Sequence, residues 1–149
     1  MNKLKKVLLP IDLSHPNQVH CLLDSVVGLT CDQEIEIYML YVDQSLVHRA
    51  GYPHLDEKNF EDHSDKAVQQ IETFFSYLPK RITGIALCRE GVAHDTIVEV
   101  ATELNVDAVI LMAQKPGLSS YFIGSNAERV VRHSPCSVFV IREDEPAHA

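Results

Sequence analysis

Five short apolar runs, separated by segments with helical periodicity, restrict what this chain can fold into more than any other feature. The runs are "KKVLLPID", "EIEIYMLYV", "ITGIALCRE", "DAVILMA" and "SVFVIR". An apolar run of this length with little polar alternation fits a strand buried on both faces, as in a parallel sheet covered by helices. The order β-α-β-α-β-α-β-α-β then predicts an α/β fold, an open, doubly wound five-stranded parallel sheet with helices on both faces. No internal repeat or low-complexity block interrupts it.

The first run is stopped by Pro10 and ends at about Asp12, and the second, rich in β-branched and aromatic residues, predicts a strand over 34–42. Gly84 weakens the third. Residues 14–29 carry Pro16 in the first turn and an apolar stripe of Leu22, Leu23, Val26, Val27 and Leu29, which predicts a helix closing near Gly28. Residues 60–78 place Ala67, Ile71, Phe74, Phe75 and Leu78 at helical spacing, and Pro79 stops the pattern. Ile97, Val98, Ala101 and Leu104 mark a third helix after Gly91, and a short fourth spans 125–133 before Pro135. Residues 43–59, with Gly51, Pro53 and two histidines, predict an irregular connection, either a lid over a ligand or a long surface loop.

A chain of 149 residues with 46% hydrophobic content suits one domain, expected over residues 1–143, with 144–149 a frayed tail. Thirteen basic residues stand against 21 acidic ones, a net charge of -8, and no basic stripe is present, so nucleic acid is not an expected partner. "MNKLKKVLLPID" begins like a signal peptide, but Pro10 and Asp12 end the apolar run too early. No apolar run approaches the ~20 residues that span a bilayer. No membrane association is therefore expected, and the expected location is cytoplasmic. Cys21, Cys31, Cys88 and Cys136 form no C-x-x-C pair and are expected to be buried, reduced thiols. His48, His54 and His63 lack tight ligand spacing and read as surface residues.

In a doubly wound sheet, ligands bind beyond the carboxyl ends of the strands, where successive connections leave on opposite sides. The first strand ends in "PIDLSHPN" without G-x-G-x-x-G, and G-x-x-x-x-G-K-[ST] occurs nowhere. The remaining candidate is "AQKPGLSSYFIGSN" after the fourth strand, which brings Lys115, Gly124 and a helix start together. First-turn N–H groups and the helix dipole favour an anion there, and Gly124 would admit phosphate oxygens close to the backbone. Ser125 and Glu128 equally fit a capping box, so spacing leaves cradle and cap both open.

Three stretches carry a family likeness: "VLLPIDLS", "YMLYVD" and "MAQKPGLSSYFIGSNAERVVRHSPCSVFVIR". Over nearly its full length the chain resembles the universal stress protein family, and it looks closest to that family's F and G types. The resemblance implies an adenine-nucleotide alpha-hydrolase-like, Rossmann-like sheet of order 3-2-1-4-5. The nucleotide-binding branch of the family looks like G-x-x-G, nine residues, then G-[ST]. Here Met112 and Lys115 stand at the two glycines, and the spacer is one residue shorter.

Carried over residue by residue, the resemblance implies that Asp12 and the backbone of Val42 contact adenine, with Pro10 beside them. Met112 would face the ribose, and Lys115, Gly124, Ser125 and Asn126 would hold the phosphates. The implied ligand is ATP, with AMP or ADP as alternatives, together with Mg2+. Asp12 or Ser14 could also cap the first helix, since a carboxylate accepts more than one donor.

The expected function is a nucleotide-binding regulatory protein of the stress response. Lys115 is the only cation in the loop and no residue there is an evident base, so hydrolysis is expected to be absent or very slow. The alternatives are a slow ATP hydrolase and a nucleotide-independent protein working through its oligomer. Val138 to Ile141 are apolar on both faces although the last strand of a chain often lies at a sheet edge, which predicts a homodimer through residues 137–141, with higher oligomers as an extension.

Overall fold

In the computed structural model, which describes residues 3–45, 57–113 and 124–143 and only the backbone of 57–62, the first strand lies at the centre. The sheet consists of β1 (Lys6–Ile11), β2 (Ile35–Asp43), β3 (Ile82–Glu90), β4 (Ala108–Met112) and β5 (Ser137–Ile141). All pairings are parallel and the order is β3-β2-β1-β4-β5, as the alternation and the resemblance imply. The helices are α1 (Pro16–Thr30), α2 (Glu57–Thr73), α3 (Ala93–Leu104) and α4 (Ser125–His133).

Strand geometry divides the core in two. Successive side chains point to opposite faces, so Val7 and Leu9 pack with α1 residues Val19, Leu22 and Val26, whereas Leu8 packs with α3 and α4 residues Ile97, Val100 and Val130. Ile71 and Phe74 join the first layer. Thus α1 and α2 cover one face, and α3 and α4 the other. Right-handed crossovers produce this arrangement when the chain runs outward from β1 to β3 and then returns to β4.

Several boundaries differ from the sequence expectation. Helix α1 does not close at Gly28 but continues to Thr30, where Cys31 ends it at φ 51°. The Arg81 guanidinium holds that end, donating to Val27 O, Gln33 O and Thr30 Oγ1 at 2.9 Å each. Val27 O is an orphan carbonyl of the kind every helix terminus leaves. The segment 43–59 is shorter than expected at both ends. Asp43 belongs to β2 because the ladder with β3 runs to Asp43↔Glu90, and Glu57 already opens α2, where an acidic residue suits the helix dipole. Residues 46–56, including His48 and His54 and the lid question, lie outside the described residues. The second helix tightens into a 3-10 turn over Phe74–Tyr77, and Leu78 is extended.

None of the four cysteines is in a disulfide; Cys88 is buried and Cys21 and Cys136 are half-buried, but Cys31 is exposed at the α1 terminus, contrary to expectation. His63 is on the surface as expected. No helix among the described residues is long and apolar enough to cross a membrane.

Gly84 sits in β3 for a packing reason. A Cβ there would come within 2.6 Å of the Phe75 ring, which lies directly over the strand. Gly84→Val should therefore overpack this site and lower stability by about 1–3 kcal/mol, read as a lower urea midpoint. Phe75→Leu in the same background should restore part of the loss.

Candidate functional site

The site begins with where β1 and β4 part. Lys5 O accepts from Glu36 N of the β2 side and Lys6 O from Asp107 N of the β4 side, so by alternation Pro10 directs its backbone nitrogen toward β4. Proline has no N–H to offer a ladder. The β1–β4 register accordingly ends at Leu8↔Val109, while β1 stays paired with β2 as far as Ile11↔Tyr41. This is also the topological switch point, since the connection after β1 leaves on the α1 face and that after β4 on the α4 face. A crevice of about 760 Å³ opens there.

Six of the eight residues expected at a ligand site line it together: Pro10, Asp12, Val42, Met112, Gly124 and Asn126. Ser125 does not; it lines a separate depression of about 500 Å³ with His94, Arg129 and Arg132. Lys115 lies outside the described residues.

The helix termini around the crevice also differ from the capping expectation. Gly124, not Ser125, is the N-cap of α4, at φ 96° and ψ 146°, a backbone conformation that glycine adopts without a Cβ penalty. Among the described residues no side chain caps the helix, so the Ser125 and Glu128 box is not formed. Ser125 is already helical, one position too far along to serve as cap, and Glu128 instead accepts from Arg132 at 2.9 Å. The first turn of α4 therefore presents N–H groups beside the crevice that no side chain among the described residues caps. Neither Asp12 nor Ser14 caps α1, whose N-cap is His15 and whose first turn contains Pro16.

Asp12 instead organises the loop between β1 and α1. Its Oδ1 accepts from Ser14 N at 3.0 Å and from Ser14 Oγ at 2.6 Å, and its Oδ2 lies 2.9 Å from His15 Nδ1. Burial pushes the Asp12 carboxyl up, but the hydrogen bonds from Ser14 and His15 together outweigh it and hold the group below its ordinary value. With three acceptor positions taken, the carboxylate keeps one for a further donor.

Sequence reasoning missed His15, Tyr41, Asp43, Gln44 and Ala93, all of which line the crevice. Gln44 Oε1 accepts from Ala93 N at 3.3 Å, and Asp43 O accepts from Gly91 N at 3.1 Å, which ties the end of β2 to the start of α3. Gly91 at φ 144° permits this turn, where a Cβ would meet Thr96 Oγ1 at 2.6 Å. Tyr41, Asp43 and Gln44 lie at the end of β2, and His15 and Ala93 start the helices that follow β1 and β3, positions that were the available signal. Periodicity gave no hint of them. Burial, then the charges of Asp43 and Asp12, push the Tyr41 hydroxyl up, and burial followed by Asp43 does the same to Glu90, so this end of the crevice is acidic.

Comparison with known proteins decides the family. Residues 3–142 match the Universal stress protein family. The chain belongs to that family. It is 33% identical over 91 residues to universal stress protein G of Shigella flexneri, a match covering 58% of this chain and 63% of that protein. The chain thus spans less than two thirds of that relative's length. A universal stress protein of Methanothermobacter thermautotrophicus is 27% identical over 147 residues, covering 93% of this chain and 95% of that protein. Among solved structures, a universal stress protein family protein from Arabidopsis thaliana with AMP bound superimposes with a TM-score of 0.61. It is 17% identical and the match covers 96% of this chain and 97% of that one, a likeness of fold.

A carboxyl held below its ordinary value stabilises the fold above its unfolded pKa of about 3.9, and the contribution is lost as pH falls through the folded value. Asp12 is 57% exposed, so the effect is small. Asp12→Asn is expected to cost about 0.5–1 kcal/mol at neutral pH and progressively less as pH falls below about 3.9, a trend that melting curves across that range would reveal.

Proposed function

We propose that this protein binds an adenine nucleotide in the crevice between the ends of β1 and β4 and acts as a regulatory protein of the stress response. The observation that carries the reading is the convergence of Pro10, Asp12, Val42, Met112, Gly124 and Asn126 on one crevice, beside a helix start that no side chain among the described residues caps. Pro10, the remaining acceptor position of Asp12 and the Val42 backbone would receive adenine, and Met112 would face the ribose. Gly124 and the Asn126 N–H would take the phosphates, with Lys115 and the backbone of Ser125 beside them. AMP in the Arabidopsis relative supports an adenine ligand. ATP is the expected form.

Among the described residues, no group of three or more His, Cys, Asp or Glu side chains is placed to hold a metal ion. Mg2+ ordinarily keeps several waters and binds through one or two carboxylates plus substrate phosphates. The Asp43 carboxylate of the crevice fits that mode, so the ion would arrive with the nucleotide. The reading keeps hydrolysis absent or very slow and the location cytoplasmic.

ATP with Mg2+ at about 100 times its Kd should raise apparent stability by about 2.7 kcal/mol. Gly124→Val, which places a branched side chain at φ 96°, should abolish most of that shift. No thermal shift and no calorimetric heat at saturating nucleotide would overturn the reading.

A second reading, assembly, is favoured by β5 at the sheet edge, where Val138, Phe139, Val140 and Ile141 are half-buried. An apolar edge strand invites pairing. A homodimer through Ser137–Ile141 is the expected species in sedimentation at micromolar concentration; a monomer there would exclude it.

A further inference from the structure

The crevice has two unlike sides. Leu40, Val42, Ile97, Leu111 and Ala127 line it from the layer under α3 and α4, whereas Asp12, His15 and Gln18 line it from the α1 side. A flat aromatic base suits the apolar side, because ligand sites bury rings against hydrophobic side chains and fix them with a few polar groups. Gln44 reaches that side, where it meets the start of α3.

The Gln44 amide has a fixed orientation. Val92, the N-cap of α3, supplies no side-chain acceptor, and Gln44 Oε1 takes the Ala93 N–H instead at 3.3 Å. A backbone N–H can only donate, so the oxygen faces Ala93 and Nε2 keeps both amide hydrogens. Among the described residues, Nε2 has no hydrogen-bond partner. Gln44 thus offers the crevice a donor.

Val42 offers the complement. Glu36 N donates to Lys5 O, so by alternation the even-numbered residues of β2 direct their backbone groups toward β1. The β1–β2 register ends at Ile11↔Tyr41, which leaves Val42 O pointing past the end of β1. An acceptor at Val42 and a donor two residues on match the edge of adenine that carries the 6-amino group and N1. That edge is opposite the glycosidic nitrogen, and β4, where Met112 would face the ribose, stands two strand spacings from β2, roughly 10 Å. The base then spans the gap that β1 leaves.

We propose that Gln44, held by the Ala93 N–H, donates to N1 of the adenine ring and so makes the crevice select adenine over 6-oxopurines. This rests on the adenine-nucleotide reading of the crevice. Hypoxanthine, the base of IMP, carries a hydrogen on N1 and an oxygen at C6, so donor meets donor at Gln44 and acceptor meets acceptor at Val42. A site built for one hydrogen-bond pattern rejects its inverse, because polar groups of both partners are left unpaired.

The test measures binding of AMP, IMP and 1-deaza-AMP, in which C–H replaces N1, by calorimetry for the unmodified protein, Gln44→Leu and Gln44→Glu. One neutral hydrogen bond corresponds to roughly three- to tenfold in Kd, so 1-deaza-AMP should bind the unmodified protein more weakly than AMP by that factor. IMP should bind it more weakly by roughly tenfold or more. Gln44→Leu should bind AMP and 1-deaza-AMP alike. Gln44→Glu keeps an acceptor for Ala93 N but turns the donor into an acceptor, so the preference for AMP over IMP should fall by roughly tenfold. Its added charge acts equally on the two monophosphates and cancels in the ratio.

Equal binding of AMP and 1-deaza-AMP by the unmodified protein would overturn the proposal without recourse to any variant. So would a preference for AMP over IMP unchanged in Gln44→Glu, or a difference between AMP and 1-deaza-AMP retained in Gln44→Leu. Binding of none of the three ligands by the unmodified protein would instead overturn the nucleotide reading itself, and that outcome is distinguishable from the others.

Discussion

The structure depends on a central strand that must be buried on both faces. Val7, Leu8 and Leu9 have no exposed surface, and alternation sends Leu8 to one layer and its neighbours to the other. Fully burying a side chain of this size is worth roughly 1.5–3 kcal/mol. Helices on a single side of the sheet would forfeit one layer. The right-handed crossover then leaves one arrangement for the connections, two helices on each face, with the reversal between β1 and β4. The crevice is a consequence of this reversal, because the two connections diverge there to opposite faces of the sheet.

Pro10 adds a local device to that global one. It occupies a central strand, where a missing N–H would ordinarily break a ladder, at a position where the nitrogen faces a strand already departing. Its cost to the sheet is small there. The same residue that stops the first apolar run in the sequence thus marks where the sheet opens, and Asp12 follows at the rim with its carboxylate engaged by Ser14 and His15. The remaining walls come from the end of β2, fixed to α3 through Gln44 and Gly91, and from the glycine start of α4. The β2 wall is thus backbone held by a neighbouring element, beside a gap lined by both aliphatic and polar side chains.

Much of the fold was legible because burial on both faces leaves continuous apolar runs, and the four helical stripes separate them. Boundaries were less legible. The end of α1 past Gly28 is held by Arg81, a residue distant in sequence, and the 3-10 turn over Phe74–Tyr77 falls within a stretch whose apolar spacing is helical. The capping box failed for a related reason. S-x-x-E was present in the letters, but Gly124 took the N-cap position because its φ of 96° suits the turn, and this moved Ser125 into the helix and out of the crevice. Gly84 likewise read as a defect in a strand until the Phe75 ring was found over it.

The sequence by itself determined the layer architecture, the strand order that the family likeness implies and the two chain segments, after β1 and before α4, that frame the crevice. These follow from local periodicity and from handedness, which need no knowledge of distant contacts. The tertiary structure alone decided which side chains face the crevice. It brought in His15, Asp43 and Gln44, excluded Ser125 and assigned Asp12 to a loop bond in place of a helix cap. Direction at a strand end or a helix start is set by a few backbone dihedrals and by partners far away in the chain, and neither is written in the spacing of residues.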